Sequence, residues 1–273
     1  MVLIAVLEHM AQKDTGFWYV DTHAGAGLYD LLGDWAQKRG EFEQGIGTLW
    51  NRTDCPALVK RYVERIKALN ESGELRIYPG SPWLALETMR SQDRLRLFEW
   101  LGPEADILKA NLSQQQHLAA RLIKVEQQDG FAALKSVLPP PTRRAVTLID
   151  PAYENKQDYR AVVQTVKDAL TRFATGCYVV WYPRVNRLQA QQMVRQLEHL
   201  PAVQWLNVEM TVKQPPEDMH GLFGSGLWIA NPPHRLAAEL KQSMPWLVKQ
   251  LAQDKQAKWH LRTSRPARSD PSR

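Results

Sequence analysis

The sequence predicts an α/β protein built on a mostly parallel sheet of seven strands, with a helical insertion after the first strand. Three observations carry that expectation. Short apolar runs alternate with longer amphipathic stretches along most of the chain, the pattern of a parallel sheet covered by helices on both faces. The last two apolar runs have no long helix between them, so they are expected to pair antiparallel. Acidic residues stand at or just past the ends of four runs, at Asp21, Glu99, Asp129 and Asp150. An open α/β sheet holds its ligand at those carboxyl ends.

Met1 to Leu7 is apolar for only seven residues before Glu8 and His9. That is too short to span a membrane and lacks the basic flank and cleavage site of a signal peptide. It reads as a helix cut off at its beginning. Phe17 to Val20 is the first strand, stopping at Asp21 and a glycine-rich turn. Leu95 to Phe98 is the second, ending at Glu99, and Ile123 to Val125 is the third, running toward Asp129-Gly130. Ala145 to Ile149 is the fourth, ending at Asp150-Pro151, and Cys177 to Trp181 is the fifth. Val203 to Val212 and Leu227 to Ala230 are the sixth and seventh. Tyr159 to Phe173 is a crossover helix, with Val162, Val163, Val166, Ala169 and Leu170 at helical spacing.

More than seventy residues separate the first two strands, where one crossover helix needs far fewer. Trp35 to Leu69 reads as mostly helical, and Tyr78-Pro79-Gly80-Ser81-Pro82 as a tight loop leading into another helix. The sequence thus places a helical insertion at about 34–76, over the ligand face, within one domain spanning 1–252. After Gln253 the chain turns basic and polar, with Lys255, Lys258, Arg262, Arg265, Arg268 and Arg273. The segment 253–273 is expected to be a disordered tail, either a solvated end or a nucleic-acid contact.

The chain has 273 residues, 44% hydrophobic and 23% charged, with a net charge of +6. The balance is that of a soluble globular protein, and the positive excess suits an anionic partner, nucleic acid above all. Two cysteines, Cys55 and Cys177, lack metal-ligand spacing and fit a reduced, cytoplasmic setting. No metal and no membrane partner is expected, and the protein is expected to be a monomer.

The turn Asp21-Thr22-His23-Ala24-Gly25-Ala26-Gly27 follows the first strand. Gly25 and Gly27 let the backbone approach a ligand closely, although such a turn equally serves as a plain strand-to-helix connection. It lacks the third glycine of the dinucleotide fingerprint, which argues against a nicotinamide site. Glu99 is placed to accept the hydroxyls of a nucleoside ribose, or is a solvated acid at a strand end. Asp129, with Gly130, is placed to accept an adenine ring amine, or to cap the next helix. Ser81 reads as an N-cap.

Asp150-Pro151-Ala152-Tyr153 is the sharpest signal. Enzymes that methylate exocyclic amines carry an Asp/Asn-Pro-Pro-aromatic tetrapeptide after the fourth strand. An aromatic amine gives its lone pair to the ring and is a poor nucleophile. A carboxylate and a backbone carbonyl that accept its two N–H bonds free that lone pair. The aromatic side chain stacks on the extruded base, and proline holds the carbonyl in place. Ala152 keeps the carbonyl and gives up rigidity, so it is expected to slow the reaction without abolishing it. Asn231-Pro232-Pro233-His234 is a rival copy, but it follows the seventh strand and lacks the aromatic residue. It reads as a structural turn. His117, His199, His220 and His260 show no catalytic spacing. The seven-strand outline with its closing hairpin is that of the Rossmann-like, class I methyltransferases, whose methyl donor is S-adenosylmethionine.

From Met1 to about Leu251 the sequence resembles the family of bacterial 23S ribosomal RNA adenine-N6 methyltransferase J, also described as proteins for catabolism of external DNA. The resemblance rests on Tyr19-Val20-Asp21-Thr22-His23-Ala24-Gly25-Ala26-Gly27, Tyr78-Pro79-Gly80-Ser81-Pro82, Asp150-Pro151-Ala152-Tyr153, Arg172-Phe173-Ala174-Thr175-Gly176 and Trp181-Tyr182-Pro183. It implies that His23, Ser81, Glu99, Asp129 and Gly130 contact the donor, that Asp150 holds the target amine, and that Tyr153 stacks on the base. The implied substrate is largely protein-free 23S ribosomal RNA. Family members begin with a segment rich in Tyr, His, Gly and Asn ahead of the position of Met1, so this chain is expected to bind the donor weakly. Two other readings stay open: a DNA adenine methyltransferase or DNA-utilisation protein, and a nucleic-acid-binding protein that has lost catalysis. Comparing RNA with DNA acceptors separates the first, and RNA binding without donor binding marks the second.

Overall fold

The computed structural model describes residues 1–33, 40–113, 122–185, 187–201, 203–215 and 221–264. Helix α1 (Val2–Ala11) leads into β1 (Trp18–Asp21). A short ribbon follows, β2 (Leu28–Asp30) paired antiparallel with β3 (Ile77–Pro79). Between its strands lie a π-helical turn (Glu43–Gly47) and α2 (Ala57–Ala68). Next come α3 (Ser81–Leu86), β4 (Arg94–Phe98), α4 (Gly102–Ser113), β5 (Ile123–Glu126), α5 (Gly130–Val137) and β6 (Ala145–Ile149). The chain continues through α6 (Lys156–Arg172), β7 (Cys177–Arg184), α7 (Leu188–Glu198), β8 (Trp205–Thr211), β9 (Gly224–Ala230), α8 (Leu236–Leu251) and β10 (Lys258–Thr263).

The main sheet has the order β10-β8-β9-β7-β6-β1-β4-β5. Strands β1, β4, β5, β6 and β7 run parallel, and β9, β8 and β10 are joined by antiparallel pairings. The order reverses at β1, which pairs with β4 on one side and β6 on the other. That is the switch point where a doubly wound sheet opens a crevice at its carboxyl edge.

Successive strand residues supply opposite cores, as the two-residue period demands. On β6, Val146 and Leu148 join the cluster that also contains Leu7, Val59, Ala85, Leu108 and Leu240. Ala145 and Ile149 join the other, with Leu134, Val162, Val166 and Met193. All five residues of β6 are buried, which explains why it reads as a continuous apolar run. Each large aliphatic side chain so enclosed contributes about 1.5–3 kcal/mol.

Three expectations change. The sheet has eight strands, because β10 lies in the segment expected to be an unstructured tail. Trp259 and Leu261 pack against the core while Lys258, His260 and Arg262 alternate with them, and β10 pairs with β8 from Lys258↔Thr211 to Thr263↔Leu206. Every second residue being charged or His hid this strand in a basic sequence. Residues 265–273, with Arg265, Arg268 and Arg273, lie outside the described residues. The insertion is only partly helical: α2 is framed by the β2–β3 ribbon, and residues 34–39 of the expected helix are not described. Finally, β7 runs three residues past Trp181, because β9 keeps pairing with it to Arg184↔Gly224.

Candidate active site at the carboxyl edge of the sheet

Asp21 ends β1 fully buried. Its Oδ2 accepts hydrogen bonds from the Tyr19 hydroxyl (2.6 Å) and Ser81 Oγ (2.7 Å), and its Oδ1 from the His23 amide (3.3 Å). Burial raises its pKa, although these three donors pull the other way. Tyr19 and Asp21 share a strand face because they are two residues apart. Ser81 is therefore not the cap of α3, whose N-cap is Gly80. It ties the insertion to β1 instead.

The turn after Asp21 requires its glycines. Gly25 and Gly27 have φ of 59° and 79°, a region costly for side-chain-bearing residues. The Gly25 amide donates to Glu99 Oε2 and the Leu101 amide to Glu99 Oε1, both at 2.9 Å. Glu99 thus clamps the turn, and each of its oxygens keeps acceptor capacity for a ligand hydroxyl.

His23 is half-buried, its Nδ1 2.8 Å from Thr22 Oγ and its ring edge-on to Phe131 at 4.8 Å. Burial pushes its pKa down to about 4, against the pull of Glu99 and Asp129, so the ring is neutral near pH 7. Asp129 caps α5 by accepting from the Phe131 amide (2.9 Å). Gly130 has a packing reason: a Cβ there would lie 1.9 Å from the Thr22 carbonyl oxygen. Only glycine lets α5 start this close to the β1 turn.

Asp150 follows β6 beside this turn and is half-buried. Burial, then the Asp21 carboxylate, pushes its pKa up to about 7. Among the described residues no side chain or amide donates to it. Pro151 is buried and Ala152 exposed. Tyr153 has φ of 56° and is 2% exposed. Its hydroxyl donates to the Trp181 carbonyl (2.6 Å), and its ring lies 4.8 Å from Tyr159 and 6.2 Å from Trp181. Arg187 donates to the Tyr153 carbonyl (3.1 Å). The ring is buried in the wall of the site, so in this conformation it presents almost no surface for the stacking expected of it.

His23, Gly25, Gly27, Ser81, Glu99, Asp129, Gly130, Asp150, Pro151 and Tyr153 all fall on the carboxyl edges of β1, β4, β5 and β6 or on the loops that pack there. Asp21, expected only as an acid at the ligand edge, and Tyr19 and Arg187 add to the expected site residues. The first two were readable from their two-residue spacing at a strand end, whereas Arg187 has no sequence signal. Asn231 (φ of 50°) donates to the carbonyls of Ala174 and Gly176, both at 2.8 Å, beside the start of β7. The rival tetrapeptide therefore forms a turn at the opposite edge. Among the described residues no cluster of metal-ligating side chains occurs, and no helix is long and apolar enough to cross a membrane.

A parallel sheet reversing at β1, a terminal antiparallel hairpin, a glycine turn after β1 and an acidic tetrapeptide after β6 define a Rossmann-like class I methyltransferase fold. A family model described as ribosomal RNA large subunit methyltransferase D, RlmJ, matches residues 14–263, and the chain belongs to that family. It is 41% identical to ribosomal RNA large subunit methyltransferase J of Haemophilus influenzae over 95% of this chain and 90% of that one. Against the protein of the same name from Escherichia coli it is 40% identical, over 90% and 86%. Among solved structures, protein LPL1258 of Legionella pneumophila superposes with a TM-score of 0.82 at 31% identity, over 96% of this chain and 97% of that one.

Proposed function

We propose that this chain methylates the N6 amine of an adenine in 23S ribosomal RNA, with S-adenosylmethionine as donor. The observation that carries the reading is Asp150, half-buried, without a hydrogen-bond donor among the described residues and placed beside the glycine turn of β1. The relatives' names supply the ribosomal RNA.

The chemistry of the site fits the donor. Glu99, Asp129 and Asp150 line the crevice with acceptors, suited to a cationic ligand rich in hydroxyl and amine donors. Glu99 would hold the ribose hydroxyls and Asp129 the adenine amine. The glycine turn would let the backbone close on the ligand, while Ser81 keeps Asp21 in place. When bound, the donor supplies an electrophilic methyl group. Asp150 and the adjacent backbone carbonyl accept the two N–H bonds of the target amine and localise its lone pair on nitrogen. Neutral His23 adds no positive charge beside a cationic donor. Positioning in a water-poor crevice supplies much of the acceleration. The reading has the protein acting as a cytoplasmic monomer without a metal.

The test is methylation of protein-free 23S ribosomal RNA with labelled donor, followed by digestion to nucleosides. Label in N6-methyladenosine is expected. Label only in a DNA oligonucleotide of matching sequence would move the substrate to DNA, and RNA binding without transfer or donor binding would remove the enzyme reading.

A further inference from the structure

A cleft of about 760 Å³ opens between α7, the end of β7, β8 and β10. Its floor depends on Gly226 of β9. A Cβ at Gly226 would lie 2.2 Å from the Tyr182 ring, so its absence lets Tyr182 reach across β9 to β8. There Glu209 Oε1 accepts from the Tyr182 hydroxyl and from Arg184 Nη1, both at 2.9 Å. From β10, Arg262 meets Glu209 at 3.5 Å and Glu198 at 2.9 Å.

Glu198 and Glu209 are the acids lining the cleft among the described residues; Arg262 engages both and Arg184 engages Glu209. Arg195, Lys213 and Lys258 line the same cleft and have no carboxylate partner among the described residues. Cations in a concave surface that lack a carboxylate partner among the described residues concentrate positive potential there. The cleft adjoins the acceptor side of the active site. Ile149, which precedes Asp150, pairs with Val180, and the cleft begins two residues further along β7 at Tyr182. Trp181 and Arg187, which flank the first cleft residues, hold the hydroxyl and the carbonyl of Tyr153.

We infer that this cleft binds the phosphate backbone of the RNA strand flanking the target adenine, with Arg195, Lys213 and Lys258 as its contacts. The inference rests on the proposed RNA-methylating function and adds where the substrate strand runs. Contacts of this kind fix register and orientation without reading sequence, and they leave the reacting amine to Asp150.

Fluorescence anisotropy with a short adenine-containing oligoribonucleotide, across a salt series, tests it. Lys213→Gln with Lys258→Gln is expected to weaken binding about tenfold and to make the log–log salt dependence shallower by about 1 per lysine. KM for 23S ribosomal RNA should rise with kcat retained, donor affinity should not change, and Lys213→Arg with Lys258→Arg should restore binding. Lys13→Gln with Arg143→Gln removes the same charge from a second basic cleft, at the opposite edge of the sheet, and is expected to do much less. Unchanged affinity and salt slope in the first pair, or equal loss in both pairs, overturns the inference while the function stands. A parent chain that neither binds nor methylates RNA overturns both.

Discussion

Asp93 and Asp150 occupy opposite edges of one sheet, and their carboxyl groups shift in opposite directions. Asp93 stands just before β4, fully buried. Its Oδ1 accepts from the Phe17 amide (2.9 Å) and Arg90 Nη2 (3.0 Å), and its Oδ2 from the Arg90 amide and Nε (both 2.9 Å). Burial alone would raise its pKa, but Arg90 and the two amides win and hold it below the usual range. Arg90 also donates to the carbonyls of Ala11 (2.9 Å) and Lys13 (2.7 Å), closing the end of α1. Among the described residues Asp150 has no such partners, and burial, then the Asp21 carboxylate, lifts it to about 7. The amino edge satisfies its charge internally and so stabilises the fold. At the carboxyl edge Asp150, unlike Asp21 and Glu99, is left without donors among the described residues, at a cost in stability.

The signs follow. A depressed folded-state pKa makes Asp93 contribute stability above its unfolded pKa, lost as pH falls through the folded value. A raised pKa makes Asp150 do the reverse: its contribution is full below an ordinary carboxylate pKa and is lost as pH rises through about 7.

The largest expected effect that sharpens this contrast is at Asp150. Asp150→Ala should lower kcat by about 10²–10³-fold while leaving the melting temperature at pH 8 unchanged or higher. A fall in melting temperature with activity kept would erase the distinction between the edges. Next comes Arg90→Ala, which strands Asp93 without its counter-ion and should cost about 3 kcal/mol in urea unfolding. Donor affinity of the folded protein, read by calorimetry, should stay the same. The smallest effect is in pH dependence. In the parent enzyme kcat/KM should fall about tenfold per unit below pH 7, since a protonated Asp150 accepts poorly. Asp150→Asn keeps an acceptor that does not titrate, so this limb should flatten. An unaltered limb would assign the titration to another group.

Much of the fold was legible because local pattern and tertiary role agreed. The runs at β1, β6 and β7 are apolar because strands buried on both faces must be, and Val162, Val163 and Val166 share the buried side of α6. The tetrapeptide was legible because its acid, proline and aromatic residue lie within four consecutive positions of the chain. The sequence by itself determined the order of strands and helices, the glycine turn and Asp150 at the carboxyl edge. Only the tertiary structure decided that Ser81 bonds Asp21 sixty residues away, that Glu99 clamps the turn at Gly25, and that Tyr153 is covered. It alone turned the basic segment at 258–263 into an edge strand and made Arg184 and Arg262 share Glu209. Local elements are specified by periodicity and steric preference within a few residues. Partners distant in the chain leave no such trace, and whether a carboxylate is satisfied or left for a ligand depends on those partners.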